Sequence, residues 1–97
     1  MARAHRLEPA ARAELDAHLK WLDEHNTGAA ARFVGALENA LETLASGVAD
    51  GRPVTLPDGR RVRRWYVRPL ILYYVREGGD VVVLRARHEA RRPLERG

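Results

Sequence analysis

The apolar positions of this chain change period once. From residue 9 to residue 45 they recur three and four apart, first as Ala11, Leu15, Leu19 and Leu22, then as Ala30, Phe33, Val34, Leu37, Ala40, Leu41 and Leu44. That spacing is one face of a helix, written twice. Pro9 suits a first helical turn, where its missing N–H has no partner to lose. The first stripe, with His18 and Trp21 beside it, ends at His25-Asn26. Thr27 stands where a side chain would cap a second helix, and Gly47 stands where that helix would stop. The two stripes predict an antiparallel helical hairpin that hides one face of each helix and needs something else to cover them.

After Gly47 the pattern turns to strand. Residues 48–59 hold two prolines and two glycines and are expected to be loop. Residues 60–67 form a basic strand with Trp65 and Tyr66. Arg68-Pro69 interrupts it, and residues 70–76 are nearly all apolar, as a central strand should be. Glu77-Gly78-Gly79-Asp80 is a tight hairpin turn, since paired glycines accept the positive φ angles such turns require. Residues 80–88 return. Residues 3–7 make a short strand before the first helix, and the charged segment 89–97 is expected to be a flexible tail. The sum is one α+β domain over residues 1–97, ordered β-α-α-β-β-β, with the helical hairpin on one face of an antiparallel sheet.

A turn at Gly78-Gly79 pairs Arg76 with Val81, Tyr74 with Val83, Leu72 with Arg85 and Leu70 with Arg87. Alternation then puts Ile71, Tyr73, Val75, Val82, Leu84, Ala86 and His88 on one face. Leu70, Leu72, Tyr74, Val81, Val83, Arg85 and Arg87 fall on the other. The first set is expected to pack on the helices. The second mixes apolar groups with arginine and is expected to be an open, partner-binding face, unless the loop 48–59 or the tail covers it. A one-residue slip would exchange the two faces.

Length and composition narrow the classes. With 97 residues, 45% hydrophobic and 31% charged, the chain is an ordinary globular size for one core. Its longest apolar run is six residues, at 70–75, far short of the roughly 20 a membrane-spanning helix needs. The first residues lack an apolar signal core. The absence of cysteine removes disulfides and thiolate chemistry. A cytoplasmic protein is the expectation. The charge is uneven. Residues 1–50 carry five basic and eight acidic side chains, whereas residues 51–97 carry twelve arginines against five acids. A basic second half suggests an acidic partner, either nucleic acid or an acidic protein segment. The histidines are not spaced as metal ligands, and neither a metal nor a cofactor is expected.

The order of these elements, together with Leu7-Glu8-Pro9-Ala10-Ala11, the Leu15/Leu19/Leu22 helix, Ala30-Ala31-Arg32-Phe33, Gly51-Arg52-Pro53, Ile71-Leu72-Tyr73-Tyr74-Val75 and the terminal Val83, Leu84, Arg85, His88 and Arg91, resembles the RelE/ParE superfamily of bacterial type II toxins, the ParE branch above all. The resemblance covers roughly residues 5–93. It implies a toxin that poisons DNA gyrase without established catalysis of its own, paired with a cognate antitoxin, ParD-like or related, whose acidic or amphipathic segment wraps it in a hetero-oligomer. The candidate target-binding residues are Arg64, Trp65, Arg68, Arg85, His88 and Arg91. The candidate antitoxin contacts are Trp21, Leu70, Leu72, Tyr74, Val81 and Val83. A RelE-like alternative, cutting mRNA on the ribosome, would need His88, Arg85, Arg64 and Arg68 as acid, base and phosphate-holding cations. Leu70 and Glu89 stand where nuclease members commonly carry an arginine and a tyrosine-like group, which weakens that alternative. A third alternative is a non-toxic module that only binds its antitoxin.

Overall fold

The computed structural model describes residues 4–95. Arg3, expected in the first strand, and residues 96–97 of the expected tail lie outside the described residues. The elements run β1 (His5–Leu7), α1 (Pro9–His25), α2 (Thr27–Ser46), β2 (Arg52–Thr55), β3 (Arg61–Val67), β4 (Leu70–Glu77) and β5 (Asp80–His88). The strands form one five-stranded sheet in the order β1-β5-β4-β3-β2. β1 joins it parallel to β5, and the other neighbours are antiparallel.

The helix ends follow local chemistry. α1 has Pro9 in its first turn. α2 is capped by Asn26, one residue before the expected Thr27, and the Asn26 side chain accepts a hydrogen bond from the Ala29 N–H at 3.3 Å. Gly47 ends α2 at φ 81°, the left-handed conformation a C-cap favours glycine for. The expected loop 48–59 contains β2. Its pairing partner is the basic strand β3, so a short, proline-bearing segment without alternation became a strand through its neighbour.

Two apolar layers cover the sheet. Ala11, Leu15, Phe33, Leu41 and Leu44 of the helices pack with Val67, Leu70, Leu72, Tyr74, Val81, Val83 and Ala86. Full burial of each large side chain there contributes about 1.5–3 kcal/mol. On the outer face Leu56, Val62, Ile71 and Tyr73 form a smaller cluster, joined by Val54, Val75, Leu84 and Leu94.

These layers correct the expected faces. Leu70, Leu72, Tyr74, Val81 and Val83 lie under the helices and are no more than 3% exposed, so they are core and not an open antitoxin face. Ile71 and Tyr73 look outward instead. The register holds at Arg76–Val81 and Tyr74–Val83, then shifts between Tyr73 and Tyr74, so that Leu72 meets Ala86 and Leu70 meets His88. Leu84 is the extra residue. A bulge of this kind changes the parity of everything after it. Ala86 therefore reaches the helix-facing layer as expected, while Leu84 goes to the outer one. The outer face is covered in part by Leu56 and by Leu94 and Glu95, which dock on it instead of fraying.

Candidate functional site: a cationic groove between α1 and the end of β5

β1 accompanies β5 only along Val81–Val83, and the Glu8 N–H then bonds to the Val83 carbonyl as the chain enters α1. Past that point β5 has an uncovered edge, and α1 crosses beside it. Glu14 closes the near end. Its carboxylate receives Arg85 Nε and Nη2 at 2.8 and 2.9 Å and the Ala86 N–H at 3.0 Å. Burial opposes ionisation of Glu14, but these hydrogen bonds and the arginine charge outweigh it and hold its pKa below the ordinary value. The same pairing raises the pKa of Arg85.

Beyond Glu14 lies a groove of about 500 Å³. Ala17, His18, Trp21 and Leu22 of α1 form one wall, and Pro69, Leu70, Ala86, His88 and Arg91 are among the residues opposite. The two histidines face each other edge-on, with ring centroids 6.2 Å apart, and His18 also meets Phe33 at 4.9 Å. His88 Nδ1 accepts the Ala90 N–H at 3.0 Å, which places the proton of a neutral ring on Nε2. His18 Nε2 is buried without a hydrogen-bond partner among the described residues. Desolvation first, and the neighbouring His88 second, lower the pKa of His18. Trp21 remains 55% exposed at the rim, stacked on His25 at 4.2 Å. An indole in that position offers apolar area with a polar edge, the kind of group that anchors protein interfaces.

The other expected site residues are dispersed. Trp65 sits opposite Leu72 and packs with the helix-facing layer, so it does not join Arg64 in a stacking platform. Arg64, opposite Tyr73, serves the outer face and is paired to Glu95. Arg68 pairs with Glu89 and lies 4.8 Å over the Tyr66 ring. Arg85 is held by Glu14 at the β5 edge. Of the groups an RNA-cleaving centre would use, three are therefore tied to three different carboxylates, and only His88 opens on the groove. Among the target and antitoxin candidates, His88, Arg91, Trp21 and Leu70 do converge there. Reasoning from sequence set aside His18 and did not single out Glu14. The signal was present, because Glu14, His18, Trp21 and Leu22 are spaced four, seven and eight apart and so share one helix face. No group of three or more His, Asp or Glu side chains among the described residues is placed to hold a metal ion, and no helix there is long and apolar enough to cross a membrane.

Fold and site together define a small α+β protein that presents a half-apolar, cationic groove beside its helical hairpin. The model of the family described as the ParE toxin of the type II toxin–antitoxin system, parDE, matches residues 6–93, and the chain belongs to that family. A solved chain from the chromosomal ParDE TA system of P. aeruginosa shares the fold at a TM-score of 0.68 and 20% identity, over 90% of this chain and 96% of that one. A search of curated proteins finds no match. Membership of a ParDE-type system implies a cognate antitoxin as partner.

Proposed function

We propose that this chain arrests growth by binding DNA gyrase in the cytoplasm, and that its antitoxin neutralises it by seating on the α1–β5 groove. The observation that carries the reading is the ParE family match over residues 6–93. The groove supports the antitoxin half. Leu22, Pro69 and Trp21 suit the apolar stripe of an amphipathic segment, and Arg91 with Arg87 at the opposite lip suits its acids. His88, Arg91 and Arg68 at the same end of the molecule are the residues best placed for the target.

Dispersal of the RNA-cleaving set favours target binding over mRNA cleavage. General acid–base chemistry needs its groups within hydrogen-bond reach of one reacting atom. Arg64 serves the opposite face of the sheet from the groove, and Arg85 is engaged by Glu14.

The test is supercoiling of relaxed plasmid by purified gyrase, with and without the purified chain. The expected result is inhibition that the antitoxin reverses. Full supercoiling in the presence of folded chain refutes the gyrase reading, and cleaved mRNA on programmed ribosomes would then establish the nuclease alternative. A chain that neither inhibits gyrase nor arrests growth when expressed alone would be a binding module only.

A further inference from the structure

We propose that the outer face of the sheet is a recognition site for a short acidic segment of a protein partner, an apolar residue followed by a carboxylate, and that Leu94-Glu95 of this chain occupies the site in cis. The reading is independent of which target the toxin attacks.

The resident segment shows what the site recognises. Glu95 receives Arg64 Nη1 and, at 2.5 Å, the Tyr73 hydroxyl, and its side chain is only 10% exposed while that of Arg64 is 18% exposed. The Leu94 N–H donates back to the Tyr73 oxygen at 3.2 Å. The Leu94 side chain packs on the Leu56–Val62–Ile71–Tyr73 cluster. A planar guanidinium beside a hydroxyl donor is a carboxylate receptor, and the apolar shelf next to it selects the preceding residue. The site is built by strand residues that need no tail to form, since Arg64 and Tyr73 are cross-strand partners in β3 and β4.

The occupant, by contrast, is not part of the sheet. Residues 89–95 form neither helix nor strand. Its start is tied down by the Glu89 N–H to the Pro69 carbonyl at 2.8 Å, by the Arg68–Glu89 ion pair and by the Ala90 and Arg91 N–H groups to His88. Between there and Leu94, Arg87 Nε donates to the Arg92 carbonyl at 2.5 Å. An open cavity of about 720 Å³ runs beside it along the edge strand β2. Arg52, Arg64 and Arg92 line that cavity against a single acid, Glu95, so its charge favours more carboxylate than the chain supplies. Phosphate would also be attracted, but it would forgo the apolar shelf. The pairing of shelf and guanidinium therefore favours a peptide over a nucleic acid.

The test uses a fluorescein-labelled peptide of the chain's own sequence EARRPLERG as probe. Its affinity is measured by anisotropy for the wild-type chain and for the full-length Leu94→Ala/Glu95→Ala variant. A tethered tail competes at an effective concentration of about 1 mM. Binding to the variant should therefore be at least about tenfold tighter than to wild type if the peptide Kd is about 0.1 mM or less. A peptide with its second glutamate changed to glutamine should lose at least about tenfold in affinity. Equal affinity for both chains overturns the resident-ligand reading. Absence of binding to a variant with wild-type circular dichroism overturns the site. Should the double variant not fold, Glu95→Gln replaces it and must also bind the native peptide more tightly than wild type does. Displacement of the probe by an oligonucleotide, but not by excess unlabelled peptide, overturns the assignment to an acidic protein segment.

Discussion

Replacing Glu14 by alanine should destabilise this protein far more than replacing its ionic partner. The Glu14 carboxylate carries two loads. It pairs with Arg85, a contact whose side chains are 39% and 27% exposed. It also accepts the N–H of Ala86, a residue only 3% exposed, at a stretch of β5 that β1 no longer accompanies. A partly exposed ion pair is worth about 0.2–1 kcal/mol. A buried amide left without an acceptor costs about 1–3 kcal/mol. Glu14→Ala should thus cost about 2–3 kcal/mol, whereas Arg85→Ala should cost about 1 kcal/mol or less, and Glu14→Gln, which retains an acceptor oxygen, should fall near the Arg85 value. For a domain of this size, about 2–3 kcal/mol lowers the melting temperature by about 10–20 °C. Thermal unfolding followed by circular dichroism, checked against urea midpoints, measures all three. There is a pH signature as well. The folded-state pKa of Glu14 is depressed below the ordinary 4.5, so its contribution is present above that value and is lost as pH falls through the folded pKa. The acid limb of Glu14→Ala should therefore be flatter than that of wild type. Equal losses for Glu14→Ala and Arg85→Ala would refute the reasoning, because the edge amide would then have found another acceptor.

Other expectations follow from single contacts. Gly51→Ala should cost about 2–3 kcal/mol in urea unfolding, because a Cβ at that position would stand 2.2 Å from the Arg64 carbonyl oxygen, which is main chain and cannot rotate away; a neutral outcome would mean the loop sits farther from β3. The phenols of Tyr73 and Tyr74, raised to about 12 by burial and by the carboxylates they bond, should still be protonated at pH 11 in an ultraviolet titration of the folded chain. Since these values lie above the ordinary 10, their contribution to stability is complete below pH 10 and declines as pH rises through the folded pKa, and Tyr73→Phe should reduce that decline. His18, with its pKa depressed by desolvation and by His88, should contribute stability above about pH 6.5 that is lost as pH falls below it; the drop in melting temperature between pH 7 and pH 5 should shrink in His18→Gln, and an unchanged drop would show that His18 does not titrate with folding.

Element type was legible in the sequence wherever periodicity was long. The two helical stripes, the Gly78-Gly79 turn and the apolar β4 run each announced an element, and α2 even displays its stop in Gly47. Strand β2 was not legible, because a short strand with a proline has no alternation to show and forms only by pairing with β3. The faces of the sheet were misread for a related reason. Both sides of β4 are apolar because both are covered, so hydrophobicity alone could not say which side met the helices. A single extra residue, Leu84, then divided β5 between the two faces in a way no alternation rule anticipates. The groove was half legible: His88, Arg91 and Trp21 were chemically conspicuous, but Glu14 and His18 gain meaning only once α1 is laid beside β5.

The adjacent tyrosines explain how one central strand organises both surfaces. Successive strand residues point to opposite faces, so Tyr73 and Tyr74 send their hydroxyls to opposite sides of β4. Tyr74 reaches the segment after α2, where it donates to Asp50 and accepts the Gly51 N–H at 2.6 Å. Tyr73 reaches the C-terminal segment, where it donates to Glu95 and accepts the Leu94 N–H. In each case a buried phenol is satisfied by one carboxylate and one backbone amide from a segment without regular structure, and an arginine stands by, Arg76 for Asp50 and Arg64 for Glu95. The resemblance ends at what each segment connects. Residues 50–51 lead directly into β2 and are fixed at both ends by paired structure. Residues 94–95 follow β5 through a stretch, 89–93, that is neither helix nor strand. The same chemistry therefore braces a segment that leads straight into the sheet on the helix side and one without regular structure on the outer side, where Arg64 and Tyr73, cross-strand partners in β3 and β4, form the receptor proposed for a partner's carboxylate.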